Sequence, residues 1–587
     1  MVSSVAAAVL LLVATLAIID PDAHCPLLPL PQNWTNGTTA LLVSSNIPLT
    51  LSATAQKSEV LVAAAKRIKS IMFAWGASSQ PPSTESPTLT AITLDVADPT
   101  DSAASLQLGV DESYSLVVGA TARTTAALKA TTVWGALRAL ETLSQLVEVA
   151  MQKDGGMPSA VAPPRYELRW APWSIADAPA FMHRGVMIDT ARHFLPLETL
   201  LRQIDALAFS KLNTLHWHAV DADAFPLDIA AFPYLSRNGA YSPAARYTED
   251  DQKAVVQYAR ERGVRVIVEL DMPVHISAWS LGLNDSLFID CAKANSGDYN
   301  GVTKVLDLAS PDALAAMVSV VDDAAKRFPS SHVHLGGDEV DLRCVNASAS
   351  AQAWILAQGG NATVEDLYVD FERRLHAAVG RRRRRRGDSR RDARYGAEGS
   401  QQLRVVTWAD VWTAANASGS LSTALPPGAV AQVWGRSPSV SDVAKSGVDV
   451  VRSTGYYLST GFSTGGTDLV WESLYNVDPM PEGLSKAEAA HVLGAEACMW
   501  GEVTDQFNID SKTWLRASVL AERLWTSNAT IAANVKVSGG GGCCCYSGVD
   551  AGAPSTECLL TRTPPAPASR YSRGQRRTRR HLSARAW

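Results

Sequence analysis

Residues 332–340 read HVHLGGDEV. Val333 and Leu335 alternate with His332 and His334, the period of a strand. Two glycines follow, which let a backbone bend tightly, and then two acids, Asp338 and Glu339. Adjacent residues of a regular strand face opposite ways, so a bend is what can bring both carboxyls to one cavity. Seven similar runs flank this one: His183–Thr190, Leu212–Asp221, Arg265–Pro273, Arg404–Asp410, Ala429–Trp434, Asp449–Gly455 and Val492–Glu502. A helical pattern follows each. Eight strand–helix units over roughly 350 residues are the pattern of an α/β fold, a (β/α)8 TIM barrel. The alternative is an open doubly wound sheet. No Gly-rich phosphate loop follows the first strand, so nucleotide binding has no support.

The barrel is expected over residues 179–528, with a basic insertion at 380–402 that contains six consecutive arginines. Residues 23–178 read as a small N-terminal α+β domain. Ser58–Met72 and Thr132–Val147 carry helical spacing, and Leu106–Gly119 alternates like strands. The first 22 residues resemble a signal peptide, with an apolar run Val5–Ile19 that is short for a bilayer span; an uncleaved anchor is the alternative. Residues 529–587 turn Gly-, Cys-, Pro- and Arg-rich and are expected to be a disordered tail. In the whole 587-residue chain, 47% hydrophobic and 19% charged residues supply a sizeable core. A net charge of −5 gives no reason to expect a nucleic-acid partner. No later segment is long and apolar enough to cross a membrane.

Asn-x-Ser/Thr sequons at Asn33, Asn36, Asn284, Asn346, Asn361, Asn416 and Asn528 agree with the secretory route. The eight cysteines form no CxxC…CxxC metal framework. Cys291 and Cys344 flank the acid pair and suit a disulfide between two loops; Cys498 reads as a buried thiol.

A barrel of this kind works at the C-terminal ends of its strands. Acids and aromatics fall there repeatedly: Asp189 and Arg192, Asp221, Asp271 and His275, Asp338 and Glu339, Trp408 and Asp410, Trp434, Tyr456 and Tyr457, Trp500 and Glu502. Flat aromatic faces stack on pyranose C–H surfaces, and carboxylates and arginine bind hydroxyls, so the set describes a sugar pocket. Two acids this close cannot ionise independently, and one pKa is expected to rise.

HLGGDEV resembles the signature of the glycoside hydrolase family 20 β-N-acetylhexosaminidases. So do HRGVMIDTARHFLPL (183–197), LNTLHWHAVD (212–221), VIVELDMPVH (266–275) and GAEACMWGE (494–502). DESYSLVV and TVWGALRALETLSQL resemble the family's N-terminal domain. The likeness runs from about Pro29 to Asn528, about 85% of the chain. It implies removal of terminal β-linked GlcNAc or GalNAc from a glycan, with retention and no enzyme nucleophile, the substrate's own acetamido group attacking instead. It makes Glu339 the general acid and Asp338 the group that orients the acetamido. His275 and Asp221 support the acid. Arg184 and Glu502 grip sugar hydroxyls, Trp408, Trp434 and Trp500 wall the pocket, and Tyr457 bonds the acetamido oxygen. No metal or cofactor is implied. A homodimer and a lysosomal, vacuolar or extracellular location are expected.

The sequence departs from the family at Ala222, where a second acid is usual, at Val274, where glycine is usual, and at Ser459, where Asn or Asp is usual. The last barrel helix is expected after ERLW (522–525), where the tail begins, so the barrel wall is expected to be incomplete. Two other readings stand beside this one. His216 and His218, at i and i+2, suit a metal-dependent hydrolase. A non-catalytic sugar-binding protein on the same fold is the second.

Overall fold

The computed structural model describes residues 25–77, 86–150, 164–291, 304–381, 403–459, 471–537 and 544–546. The signal-like segment, the poly-arginine stretch 382–402 and most of the tail lie outside them. Eight parallel strands close into a barrel in chain order. They are β1 His183–Asp189, β2 Thr214–His218, β3 Arg265–Met272, β4 His332–Gly336, β5 Arg404–Trp408, β6 Val430–Val433, β7 Asp449–Arg452 and β8 Val492–Met499. All eight expected strands are present, each ending at or before its expected last residue. β1 pairs with β8 from His183↔Gly494 to Ile188↔Met499, which closes the ring and excludes the open sheet. Gly494 makes that closure possible: a Cβ there would stand 1.9 Å from the His183 carbonyl oxygen. β1, β2, β3, β4, β6 and β8 are buried at every residue, as strands must be between a filled interior and a ring of helices.

The wall is not cut short. Helix Ile509–Trp525 follows β8 and ends in ERLW; the expected eighth helix contains that motif as its last turn rather than following it. A short helix, Asn528–Asn534, then runs into the segment expected to be tail. The strand Val535–Val537 pairs with Cys544–Tyr546.

The N-terminal domain is a nine-stranded sheet carrying helices Glu59–Met72 and Val133–Leu146. Every residue of Val133–Leu146 is buried, because the helix is wedged between sheet and barrel. Polar groups in that wedge are paired, as burial requires. Arg138 donates to the Gly263 carbonyl at 2.7 Å and ion-pairs with Glu112 at 2.8 Å. Trp525, at the end of the eighth helix, donates its indole N–H to Asp177 at 3.0 Å. Cys291 and Cys344 are disulfide-bonded, tying the segment after β3 to the segment after β4.

Candidate active site

The acid pair sits where β4 leaves the barrel. Gly336 and Gly337 have φ of 70° and 95°. A Cβ on Gly336 would come within 1.7 Å of the Asp271 carboxylate, so the chain passes over β3 only as glycine. Glu339 is also left-handed, at φ 52°, a conformation costing a non-glycine residue on the order of 1–2 kcal/mol. The turn is held from outside. The Tyr368 hydroxyl donates to the Gly337 carbonyl at 2.7 Å, and the Glu339 N–H donates to Asp410 at 3.3 Å. The result is a buried Asp338 beneath a Glu339 whose side chain is 57% exposed.

One imidazole nitrogen serves both acids. His275 Nε2 lies 3.4 Å from Glu339 and 3.8 Å from Asp338, and its Nδ1 lies 3.5 Å from Asp221. Burial opposes charge on His275, but the surrounding carboxylates, Asp221 and Glu339 foremost, push its pKa up to about 12. Burial pushes Asp338 up to about 7 against the pull of His275, with Glu269, Asp410 and Glu339 adding to the rise. The hydrogen bond from His275 holds Glu339 below the usual carboxylate range. Asp271 is raised well above it by burial and by Asp338.

A chain of alternating acids and imidazoles continues down the barrel. Asp221 meets His218 at 3.0 Å, His218 meets Glu269, and Glu269 meets His216 at 2.9 Å. His216 meets Glu496 at 2.6 Å, and Glu496 meets His183 at 2.9 Å. His216 and His218, the pair that suited a metal, thus have carboxylate partners on both ring nitrogens. Four groups among the described residues have donors close enough to share an ion, and two of them, His216 with Glu269 and His334 and His218 with Glu269 and Asp271, are buried throughout. Burial opposes charge on His216, yet Glu496 and Glu269 push it up to about 9.

The walls are aromatic. Trp408, Trp434, Tyr457 and Trp500 pack with Met187 and Cys498. Trp408 and Trp500 have ring centroids 6.0 Å apart, and Tyr457 and Trp500 6.4 Å. The Trp408 indole donates to Glu269 at 2.8 Å and the Trp434 indole to Asp410 at 2.7 Å. Burial raises the Tyr457 phenol well above its ordinary value, so it stays a donor. Arg192 lies over Trp500, 4.8 Å from the ring centroid, and ion-pairs with Asp221 at 2.7 Å, Asp189 at 3.2 Å and Asp223 at 3.4 Å. Glu502 is exposed beyond β8.

Residues 181–388 and 392–528 match the family model described as glycosyl hydrolase family 20, catalytic domain. Residues 27–146 match the model described as beta-acetyl hexosaminidase like. The chain belongs to glycoside hydrolase family 20. It is 34% identical over 427 residues to the beta-hexosaminidase subunit beta of Mus musculus, covering 71% of this chain and 70% of that one. It is 30% identical over 532 residues to beta-hexosaminidase subunit A1 of Dictyostelium discoideum, covering 89% and 88%. The fold is similar to that of a chitobiase from Flavobacterium johnsoniae, with a TM-score of 0.66, 25% identity, and 86% of this chain and 70% of that one covered.

Most of the residues expected from the family 20 motifs converge. Asp221, His275, Asp338, Glu339, Trp408, Trp434, Tyr457 and Trp500 gather at the C-terminal end of the barrel. Arg184 does not. It is the second residue of β1, fully buried at the opposite end, with its guanidinium 2.6 Å from Glu112 and donating to the carbonyls of Lys211 at 3.0 Å and Phe181 at 2.9 Å. Five steps of strand, roughly 17 Å, separate it from Asp189. The arginine at the sugar end is Arg192. Asp410, already a strand-end acid in the sequence, joins the site, and Tyr368 is a further site residue that the sequence did not single out. Of the departures, Val274 is buried within the hydrophobic core, and Ser459 is buried. A cavity of about 350 Å³ lined by Gln107, His332, His376 and Arg404 opens at the other end of the barrel, the end that carries stability in this fold rather than chemistry.

Proposed function

We propose that this family 20 glycoside hydrolase is a β-N-acetylhexosaminidase, removing terminal β-linked GlcNAc or GalNAc from the non-reducing ends of glycans with retention of configuration. The observation that carries the reading is one imidazole nitrogen within 3.8 Å of both Asp338 and Glu339. Neighbours on one turn, tied to one ring, approach a bound sugar from the same side. Neither then needs to act as nucleophile on the face opposite the leaving group, and the substrate's 2-acetamido oxygen takes that part. Glu339 protonates the glycosidic oxygen as the acetamido oxygen bonds to the anomeric carbon, and the aglycone leaves. Asp338 accepts the acetamido N–H and stabilises the oxazolinium charge. Tyr457 donates to the acetamido oxygen. Glu339 then takes a proton from the water that opens the intermediate. Arg192 and Glu502 hold the sugar's hydroxyls, and Arg192 takes the part the motifs gave to Arg184.

Release of 4-nitrophenol from its β-GlcNAc and β-GalNAc glycosides at acidic pH tests the reading. Glu339→Gln and Asp338→Asn are expected to lose most of it; a fully active Glu339→Gln would refute the acid assignment. The secretory route, with a lysosomal, vacuolar or extracellular destination, belongs to the same reading. It is supported by the Cys291–Cys344 disulfide and by sequon asparagines that are exposed at every site except the half-buried Asn36. Glycosidase-sensitive mobility of the secreted chain checks it. A homodimer is supported by the exposed Phe507 and Val503 beyond β8, and light scattering checks it.

A further inference from the structure

Asp410 is the second residue of helix Ala409–Ala417, immediately after the wall residue Trp408. Two N–H groups from different parts of the site converge on its carboxylate. Oδ1 accepts from the backbone N–H of Glu339 at 3.3 Å, and Oδ2 accepts from the indole N–H of Trp434 at 2.7 Å. The helix start also supports the turn beneath the acids: a Cβ on Gly337 would meet Val411 at 2.4 Å. Tyr368 fixes the turn at the Gly337 carbonyl, two residues before Glu339. Beyond that tether, the left-handed backbone of Glu339 is held through its N–H by Asp410. Only a carboxylate offers an acceptor to both donors; the amide of asparagine must turn its NH2 toward one of them.

We propose that Asp410 is a positioning residue that sets the Glu339 carboxyl and the Trp434 wall together. The proposal rests on the hexosaminidase reading above. A sugar whose acetamido group packs against Trp434 presses on the same carboxylate that fixes the acid's backbone. Correct seating of the acetamido group and correct placement of the proton donor are then one event. A glycoside without the acetamido group forgoes both.

The test compares wild type, Asp410→Ala, Asp410→Asn, Trp434→Phe and Glu339→Gln on two β-GlcNAc glycosides. One carries 2,4-dinitrophenolate, which leaves with little help from an acid; the other carries 4-methoxyphenol, which needs a proton. A misplacement of about 1 Å can cost on the order of 100-fold. Asp410→Ala is therefore expected to lose roughly 10- to 100-fold in kcat on the methoxyphenyl glycoside, several-fold less on the dinitrophenyl one, and to raise KM on both. Trp434→Phe keeps the Glu339 contact and is expected to raise KM while losing equal factors in kcat on the two substrates. Combined with Glu339→Gln, Asp410→Ala should cost much less than it does alone, because the acid it places is already gone. Thermal unfolding and binding of free GlcNAc establish that each variant is folded, and the near-isosteric Asp410→Asn carries the same comparison if the alanine variant is not. An Asp410 variant that is folded and loses equal factors on both glycosides, or none, overturns the positioning role while Glu339→Gln remains inactive. A fully active Glu339→Gln instead overturns the underlying reading, whatever Asp410 does.

Discussion

Arg184 and Arg192 stand eight positions apart, and the structure gives them opposite work. Replacing Arg184 by methionine removes a buried guanidinium 2.6 Å from Glu112 and the donors for two carbonyls. Burial would raise Glu112, but Arg184 and Arg138 together hold it down to about 2. Lowering a carboxyl from 4.5 to about 2 corresponds to roughly 3 kcal/mol at ~1.4 kcal/mol per pH unit, an upper bound for Arg184 because Arg138 shares it. A depressed acid contributes that stability above its unfolded value near 4.5 and loses it as pH falls through about 2, so an assay near pH 6 sees all of it. Breaking a buried pair from one side costs a similar ~3–5 kcal/mol. At ~2–4 °C per kcal/mol for a domain of 150–250 residues, the melting temperature of Arg184→Met should fall by roughly 6–12 °C. KM for 4-nitrophenyl β-GlcNAc should stay near wild type in the protein still folded at 25 °C. Arg192→Met should show the reverse weighting, with kcat/KM falling far more than the melting temperature. An Arg184→Met protein of wild-type stability with a raised KM would refute the argument and return Arg184 to the sugar.

Three further outcomes follow from the same geometry. The proton that burial keeps near Asp338 is present below about pH 7 and lost above it, so kcat/KM should fall as pH rises through about 7; a profile flat to about pH 8.5 contradicts this. Against burial, Glu496 and Glu269 raise His216 to about 9 from 6.5, so its contribution to stability is full below pH 6.5 and disappears as pH rises through about 9. Glu496→Gln should lower the melting temperature near pH 6 and flatten that alkaline decline; an unchanged slope would place the decline elsewhere. The Cys291–Cys344 bridge spans 53 residues, worth ~4 kcal/mol by loop-closure entropy, and ties the segments after the strands that deliver His275 and Glu339. Cys344→Ser should therefore lose both stability and kcat, and loss of neither would show the bridge to be dispensable.

The barrel was legible because each strand is a buried apolar run followed by a helical pattern, and that signal is local. The strand ends were read too long, since apolar residues and rim acids continue past the last ladder pair; β2 was read to Asp221 and ends at His218. Arg184 was misplaced although the information lay in the chain. As the second residue of β1 it starts the strand, and chemistry in this fold belongs to strand ends, where Arg192 follows Asp189. ERLW is the last turn of the eighth helix and not a segment that precedes it. Asp410 was legible as a strand-end acid, but its partners and the whole of Tyr368 could not be read from local pattern. Asp410 reaches a backbone N–H 71 positions away and Tyr368 a carbonyl 31 positions away, and no periodicity encodes such contacts.

The chain of acids and imidazoles gives the pocket its logic. Asp221, bonded from both sides by His218 and His275, stays ionised and keeps His275 a cation. That cation holds Glu339 ionised while the pocket is empty, and burial leaves the remaining proton on Asp338. Burial thus favours the neutral form on the acid that the proposed reaction needs ionised. An acetamido N–H delivered to Asp338 favours the carboxylate there, and an aglycone covering the exposed Glu339 carboxyl favours the neutral acid at the rim. On this account the acetamido group selects its own catalyst twice. In the proposed reaction it supplies the nucleophile, and its N–H gives Asp338 a donor that favours the carboxylate there. A glycoside lacking it meets a Glu339 already ionised and an Asp338 with nothing to orient.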